Sequence, residues 1–240
     1  MTTMFRAVLL AVACATPMAS VYAADAVPAP APSAASTSVT PANVPAPTAA
    51  EASLEPQELM QKVANDLLDE LNANREAIKK DPAALRSLVD RHLLPHFDTE
   101  YAARLVLGPH WRTATPEQRK RFVEAFYQSL MANYGDALLE FTSDRMKILP
   151  YKGDPAATSA TVRTEVKRSN GTPVPVNYSL HKTAQGWKAW DVTIEGISYV
   201  KNFRTDFGSE INEKGLDAVI QRLESQNAKP TAASAQKTSS

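Results

Sequence analysis

Cysteine is almost absent: among 240 residues only Cys14 occurs, close to the N-terminus. Loss of the leader described below removes it, which excludes a disulfide framework, a thiolate metal site and a cysteine nucleophile from the rest of the chain. Histidine is scarce as well, at four. His92 and His96 are four apart, but Pro95 falls between them and no Glu follows His92, so solvent-facing or capping side chains at a helix end are expected rather than metal ligands. No glycine-rich phosphate loop occurs. Gly196-Ile197-Ser198-Tyr199-Val200 begins like a nucleophile elbow without its closing glycine, which leaves Ser198 as the cap of a following helix. Net charge is lacking too. Lys plus Arg number 26 and Asp plus Glu number 26, neither sign clusters strongly, and a nucleic-acid footprint is thereby disfavoured. Beyond the leader, no apolar run approaches the about 20 residues that cross a bilayer.

The first two dozen residues have the form of a secretory signal. Arg6 supplies the positive start, Ala7 to Ala15 the apolar run, and Val21-Tyr22-Ala23 a small-residue cleavage site, so residues 1–23 are expected to be removed and the protein exported. A minor alternative is a lipoprotein acylated on Cys14, because Ala11-Val12-Ala13-Cys14 loosely resembles a lipobox. Residues 24–53 are almost all Ala, Pro, Ser, Thr and Val, with Asp25 and Glu51 alone charged. Such a segment buries too little to offset its ordering entropy and is expected to be a disordered linker. Residues 229–240 are expected to be a disordered tail. Between them, residues 54–228 are long enough for one substantial core.

The first half of that domain has helical periodicity. Leu59, Val63, Leu67 and Leu71 recur every four residues, predicting a helix over about 56–79. Asp81-Pro82 is a cap and first-turn pair for a second helix, stopped by Pro95. A third is predicted from Thr99 to Leu107, before Gly108-Pro109. Thr115-Pro116-Glu117-Gln118 combines a cap, a first-turn proline and a capping-box partner. It opens the longest helix, predicted to run to Phe141 with Phe122, Phe126, Leu130, Tyr134 and Leu138 on one face.

The second half alternates with period two through Ala160–Val166, Val174–Leu180 and Trp190–Ile194, with a fourth strand expected at Arg145–Tyr151. Face matching favours three-residue loops at Ser169-Asn170-Gly171 and Ala184-Gln185-Gly186, pairing Val166 with Val174, Tyr178 with Val192 and Leu180 with Trp190. By the same alternation Asp191, Glu165 and His181 fall on the polar face. Ile197, Tyr199, Val200, Phe203 and Phe207 return to helical spacing, and a last helix carries Leu216, Val219, Ile220 and Leu223. The fold class is α+β, with helices packed on one face of a twisted antiparallel sheet of about four strands. No triad, metal spacing or buried carboxylate pair suggests catalysis, and the apolar faces read by themselves as ordinary core.

Two blocks go further. The first is Leu107-Gly108-Pro109-His110-Trp111-Arg112, Thr115-Pro116-Glu117-Gln118-Arg119 and the spaced Phe122, Phe126, Leu130 and Tyr134. The second is Trp187-Lys188-Ala189-Trp190-Asp191-Val192, Glu195-Gly196-Ile197-Ser198, Asn202-Phe203-Arg204, Phe207 and Gly215-Leu216-Asp217. In this order they resemble the MlaC family of periplasmic phospholipid shuttles, also called toluene-tolerance auxiliary proteins. The resemblance implies a non-catalytic periplasmic carrier with an apolar pocket. Its cargo would be a phospholipid, with no cofactor and no metal, and its role the maintenance of outer-membrane lipid asymmetry. The implied partners are an inner-membrane lipid ABC transporter, met through its substrate-binding subunit, and an outer-membrane lipoprotein–porin complex. Pocket candidates are Phe122, Phe126 and Leu130 from the long helix, Val162, Val176, Tyr178, Trp190 and Val192 from the sheet, and Val200, Phe203 and Phe207 from the helix after it. Arg104, Arg112 and Arg204 are candidates for head-group contact. An exported hydrolase and a ligand-free adaptor domain of similar shape are the alternatives.

Overall fold

Capping chemistry sets where the helices begin. The computed structural model describes residues 45–139, 146–154, 156–168 and 171–228. The expected leader with Cys14, linker residues 24–44, the tail, Phe141, Arg145 and Ser169-Asn170 lie outside these. A short helix α1 (Ala49–Ala52) follows Thr48, whose hydroxyl and backbone close a capping box with Glu51. The linker expected to Ser53 thus acquires helical structure over its last residues, because Thr48 and Glu51 stand at capping-box spacing. Helix α2 (Pro56–Ile78) buries Leu59, Val63, Leu67 and Leu71 as the four-residue spacing predicts. Asp81 accepts from the Ala83 N–H at 2.9 Å and starts α3 (Pro82–His92). A 3-10 turn (Leu94–His96) leads to α4 (Thr99–Leu107), capped by Asp98 through the Tyr101 N–H at 2.8 Å.

After α5 (His110–Thr113), the Thr115–Gln118 capping box opens α6 (Pro116–Leu139), the longest helix among the described residues. At 1.5 Å per residue its 24 residues span about 36 Å. The sheet is a meander, β1 (Met146–Ile148), β2 (Ser159–Lys167), β3 (Pro173–Thr183), β4 (Gly186–Ile194) and β5 (Ile197–Ser198), each strand antiparallel to the next. Helices α7 (Tyr199–Lys214) and α8 (Leu216–Asn227) close the chain, α7 capped by Ser198 as expected. The architecture is the expected α+β, with five strands rather than about four.

Register carries the informative differences. Val166 pairs with Val174 and Thr164 with Val176, as face matching predicts. On the other hairpin, Thr183 pairs with Gly186, so the loop is the two residues Ala184-Gln185 and not three. A two-residue loop alone would set opposite faces together. The ladder restores parity with a bulge: Leu180 pairs with Ala189, Ser179 with Asp191, and Trp190 is the extra residue. Leu180 therefore does not pair with Trp190, while Tyr178 does pair with Val192. The second correction follows at Glu195-Gly196, where φ of 51° and 86° make a two-residue hairpin turn that adds β5. Ile197 belongs to that strand, not to the next helix, and is 61% exposed.

Along the outer edge of β4, Phe97 forms an isolated parallel bridge with Ala189, and the Asp98 N–H donates to the Ala189 carbonyl at 2.7 Å. This segment covers an edge that β5 reaches only at its far end. No helix among the described residues is long and apolar enough to cross a membrane.

Candidate functional site

The buried apolar residues do not merge into one core. The largest cluster joins α4, α6, α7 and α8 through Ala103, Val106, Phe122, Phe126, Phe207 and Ile220. A second joins α2 to the sheet through Leu59, Val63, Val162, Leu180, Trp187 and Ala189. Two smaller clusters hold α2, α3 and α6 together around Leu71, Leu88, Val89 and Tyr127. Helix α6 packs on α8, α4 and α3, whereas the sheet is approached by α2 across β2 and by α4 and α7 across β4. Helix α4 thus packs on both the long helix and the sheet.

The inward face of the sheet carries the consequence. Val174 and Val176 are buried yet belong to none of these clusters, and Tyr178, Val192 and Ile194 keep accessible surface. Burial alone pushes the Tyr178 phenol up to about 12.

Aromatic rings on the facing helices form a continuous run from solvent inward. Tyr134 of α6, 45% exposed, lies edge-on to Tyr199 at 5.5 Å, Tyr199 meets Phe203 at 6.0 Å, and Phe203 meets Phe126 at 5.1 Å and Phe207 at 5.9 Å. Phe122, fully buried, closes the run at 5.7 Å from Phe126. The Tyr134–Tyr199, Tyr199–Phe203 and Phe203–Phe126 contacts are edge-to-face and the other two stacked, both arrangements that aromatic pairs favour.

Of the residues expected to line a pocket, Phe122, Phe126, Leu130, Val200, Phe203 and Phe207 come together in the helical cluster, and Val162 and Tyr178 in the sheet cluster. Phe122 and Val162 have no accessible surface, while Leu130, Phe203, Tyr178 and Val192 retain some. Trp190 is turned away from Val192 by the bulge. Its ring lies 5.7 Å from Tyr101 and packs with the helical cluster. The three arginines are exposed: Arg104 stacks over Tyr101 at 4.7 Å, Arg204 reaches the C-terminal end of α4 at Gly108, and the Arg112 carbonyl accepts from Arg119.

Of two buried polar residues in the interior, one escaped sequence reasoning. Asp191, expected on the polar face, is only 4% exposed. Its carboxylate accepts from the Ser198 hydroxyl at 2.6 Å and the Val200 N–H at 3.0 Å, holding the start of α7 on β4. Asp191 does stand on the polar-face side, opposite Ser179, and it is the start of α7 laid over it that buries the carboxylate, which alternation within a strand does not report. Thr164 is buried with its hydroxyl donating to the Val176 carbonyl at 2.8 Å. That burial agrees with the alternation, which sets Thr164 on the same face as Val162 and Val166.

The titratable groups pair structurally. His181 meets Asp98 at 3.0 Å, with the Tyr101 ring tilted against it at 4.4 Å, and His92 meets Glu70 at 2.6 Å. The Glu70 carboxyl is held below the usual carboxylate range, first by the His92 hydrogen bond and then by Arg91, against its own burial. His96 sits 3.9 Å from Glu51, its pKa lowered by burial despite that carboxylate. No group of three potential metal ligands occurs among the described residues. Two surface clefts, on the outer face of α2 and between α6 and α8, are lined mainly by charged and amide side chains and offer nothing to an apolar chain.

Comparison with known proteins agrees with this geometry. The family model described as MlaC protein matches residues 61–225. A toluene tolerance protein, ttg2D, of Pseudomonas putida is 35% identical over 163 residues, covering 68% of this chain and 75% of that protein. The intermembrane phospholipid transport system binding protein MlaC of Haemophilus influenzae is 28% identical over 178 residues, 73% and 83% of the two chains. Among solved structures, the phospholipid-binding protein from Ralstonia solanacearum, determined in complex with a phospholipid, superposes with a TM-score of 0.68 at 25% identity, covering 73% of this chain and 98% of that one.

Proposed function

The chain belongs to the MlaC family, and from that premise we propose that it is a non-catalytic periplasmic carrier that encloses the acyl chains of a phospholipid and shuttles it between the outer and inner membranes. The observation that carries this reading is the apolar inward face of the sheet at Tyr178, Val192 and Ile194, which keeps accessible surface, in a fold shared with a phospholipid-binding protein determined in complex with a phospholipid.

Energetics explain why such a wall is useful. At about 0.8 kcal/mol per buried methylene, a two-chain lipid of roughly 30 methylenes faces a cost of order 20 kcal/mol to enter water. A dry pocket removes most of it. Delivery then requires docking at both membranes, and the family relationship supports an inner-membrane ABC transporter's substrate-binding subunit and an outer-membrane lipoprotein–porin complex as the docking partners. Export through a cleaved leader ending near Ala23 would bring the protein to the compartment where that exchange occurs.

The test is lipid extraction and mass spectrometry on the chain purified without detergent from an exporting host. Near-stoichiometric two-chain phospholipid is the expected result. A folded protein carrying no lipid, and taking none from vesicles, would overturn the carrier reading in favour of a ligand-free adaptor.

A further inference from the structure

Tyr178 stands at the middle of β3 on its inward face, and every neighbouring position on that face is apolar: Val176 and Leu180 along the strand, Val162 on β2 and Val192 on β4. Among the described residues nothing hydrogen-bonds its hydroxyl, and burial is the sole cause of its raised pKa. A phenylalanine would fill the same volume without leaving a desolvated donor unpaired, a condition that costs free energy in any interior. Water is a poor solution there, because a buried water needs two to four polar partners and these neighbours supply none.

We propose that the Tyr178 hydroxyl donates a hydrogen bond to an acyl-ester carbonyl of the bound lipid, so that the ester linkage itself is a recognised feature of the cargo. This rests on the carrier reading above and adds the substrate class to it: diacyl rather than dialkyl lipids. The acyl methylenes carry no acceptor. A phosphate is charged and needs cations or water, which the four neighbours of Tyr178 do not provide. An ester carbonyl is a neutral acceptor attached directly to the chain that the pocket encloses, and it matches a single neutral donor in apolar surroundings.

The test offers the delipidated full-length chain vesicles containing equal amounts of dipalmitoyl phosphatidylglycerol and its dihexadecyl ether analogue, and counts the two lipids taken up by mass spectrometry. Wild-type protein is expected to enrich the ester roughly fivefold, the worth of one neutral hydrogen bond. Tyr178→Phe is expected to bring the ratio close to one by lowering ester uptake relative to ether uptake. Equal uptake of both lipids by the wild type would overturn the proposal without recourse to any variant, as would a folded Tyr178→Phe protein that keeps the ester preference. Failure of the wild type to take up either lipid would sink the carrier reading together with this one, whereas uptake without ester preference removes only the role of the tyrosine.

Discussion

Asp191 and His96 illustrate how single polar groups are placed to hold separate elements together. The Asp191 carboxylate gives hydrogen-bond acceptors to both Ser198 and Val200, and it does so with almost no water nearby. Asp191→Ala leaves the α7 cap half-made and a buried N–H unpaired, and is expected to cost about 2 kcal/mol in urea denaturation. His96 acts through pH. Its folded-state pKa lies below the ordinary 6.5 because burial disfavours the imidazolium. Above about pH 6.5 both states hold neutral imidazole and pH has no leverage through it. As the pH falls below that value the unfolded chain takes up the proton first, so stability declines until the folded-state pKa is passed. His96→Gln is expected to flatten the pH dependence of the unfolding midpoint below about pH 6.5. An unchanged slope would mean that other groups set it.

At the scale of elements, the β3–β4 hairpin is the most constrained part of the fold. Gly186 has φ of 93°, and a Cβ there would come within 2.7 Å of the Ala52 backbone. Gly186→Ala is therefore expected to lose about 2 kcal/mol from strain and collision, and to release α1, read as faster proteolysis near residues 45–53. The helices were legible in the sequence because Asp81-Pro82, Thr115–Gln118 and Ser198 announce their caps locally. The β2–β3 register was legible too, because Val166 and Val174 must share a face. The β3–β4 register was not. A bulge and a shorter loop give the same inward pairing of Tyr178 with Val192 as a longer loop without a bulge, and the two solutions differ only from Trp190 to the loop. That difference leaves Trp190 unpaired with Leu180, while Asp191 stands opposite Ser179 in both and is buried by the start of α7.

For the molecule as a whole, the proposed carrier stands or falls on whether the accessible inner wall is matched by cargo. Val192→Glu sets a carboxylate on that wall while leaving the described clusters untouched, and is expected to lower co-purified lipid roughly tenfold with the fold intact by circular dichroism. Unchanged lipid content in the folded variant would take Val192 off the pocket. The candidate site was legible only as a set of apolar faces. Which members are sealed, such as Phe122 and Val162, and which stay open, such as Phe203 and Tyr178, depends on how far apart the layers stand, and periodicity carries no information about that distance. The meander has a last consequence, for the order in which the molecule assembles. Every strand pairs with its neighbour in sequence, so each hairpin closes over a short loop at small entropic cost. The α6–α8 and α4–α7 contacts join segments roughly a hundred residues apart and close late. Destabilising β2 or β3 should slow folding, and destabilising α7 should chiefly speed unfolding; the helical wall would then be the last part to form and the first to open.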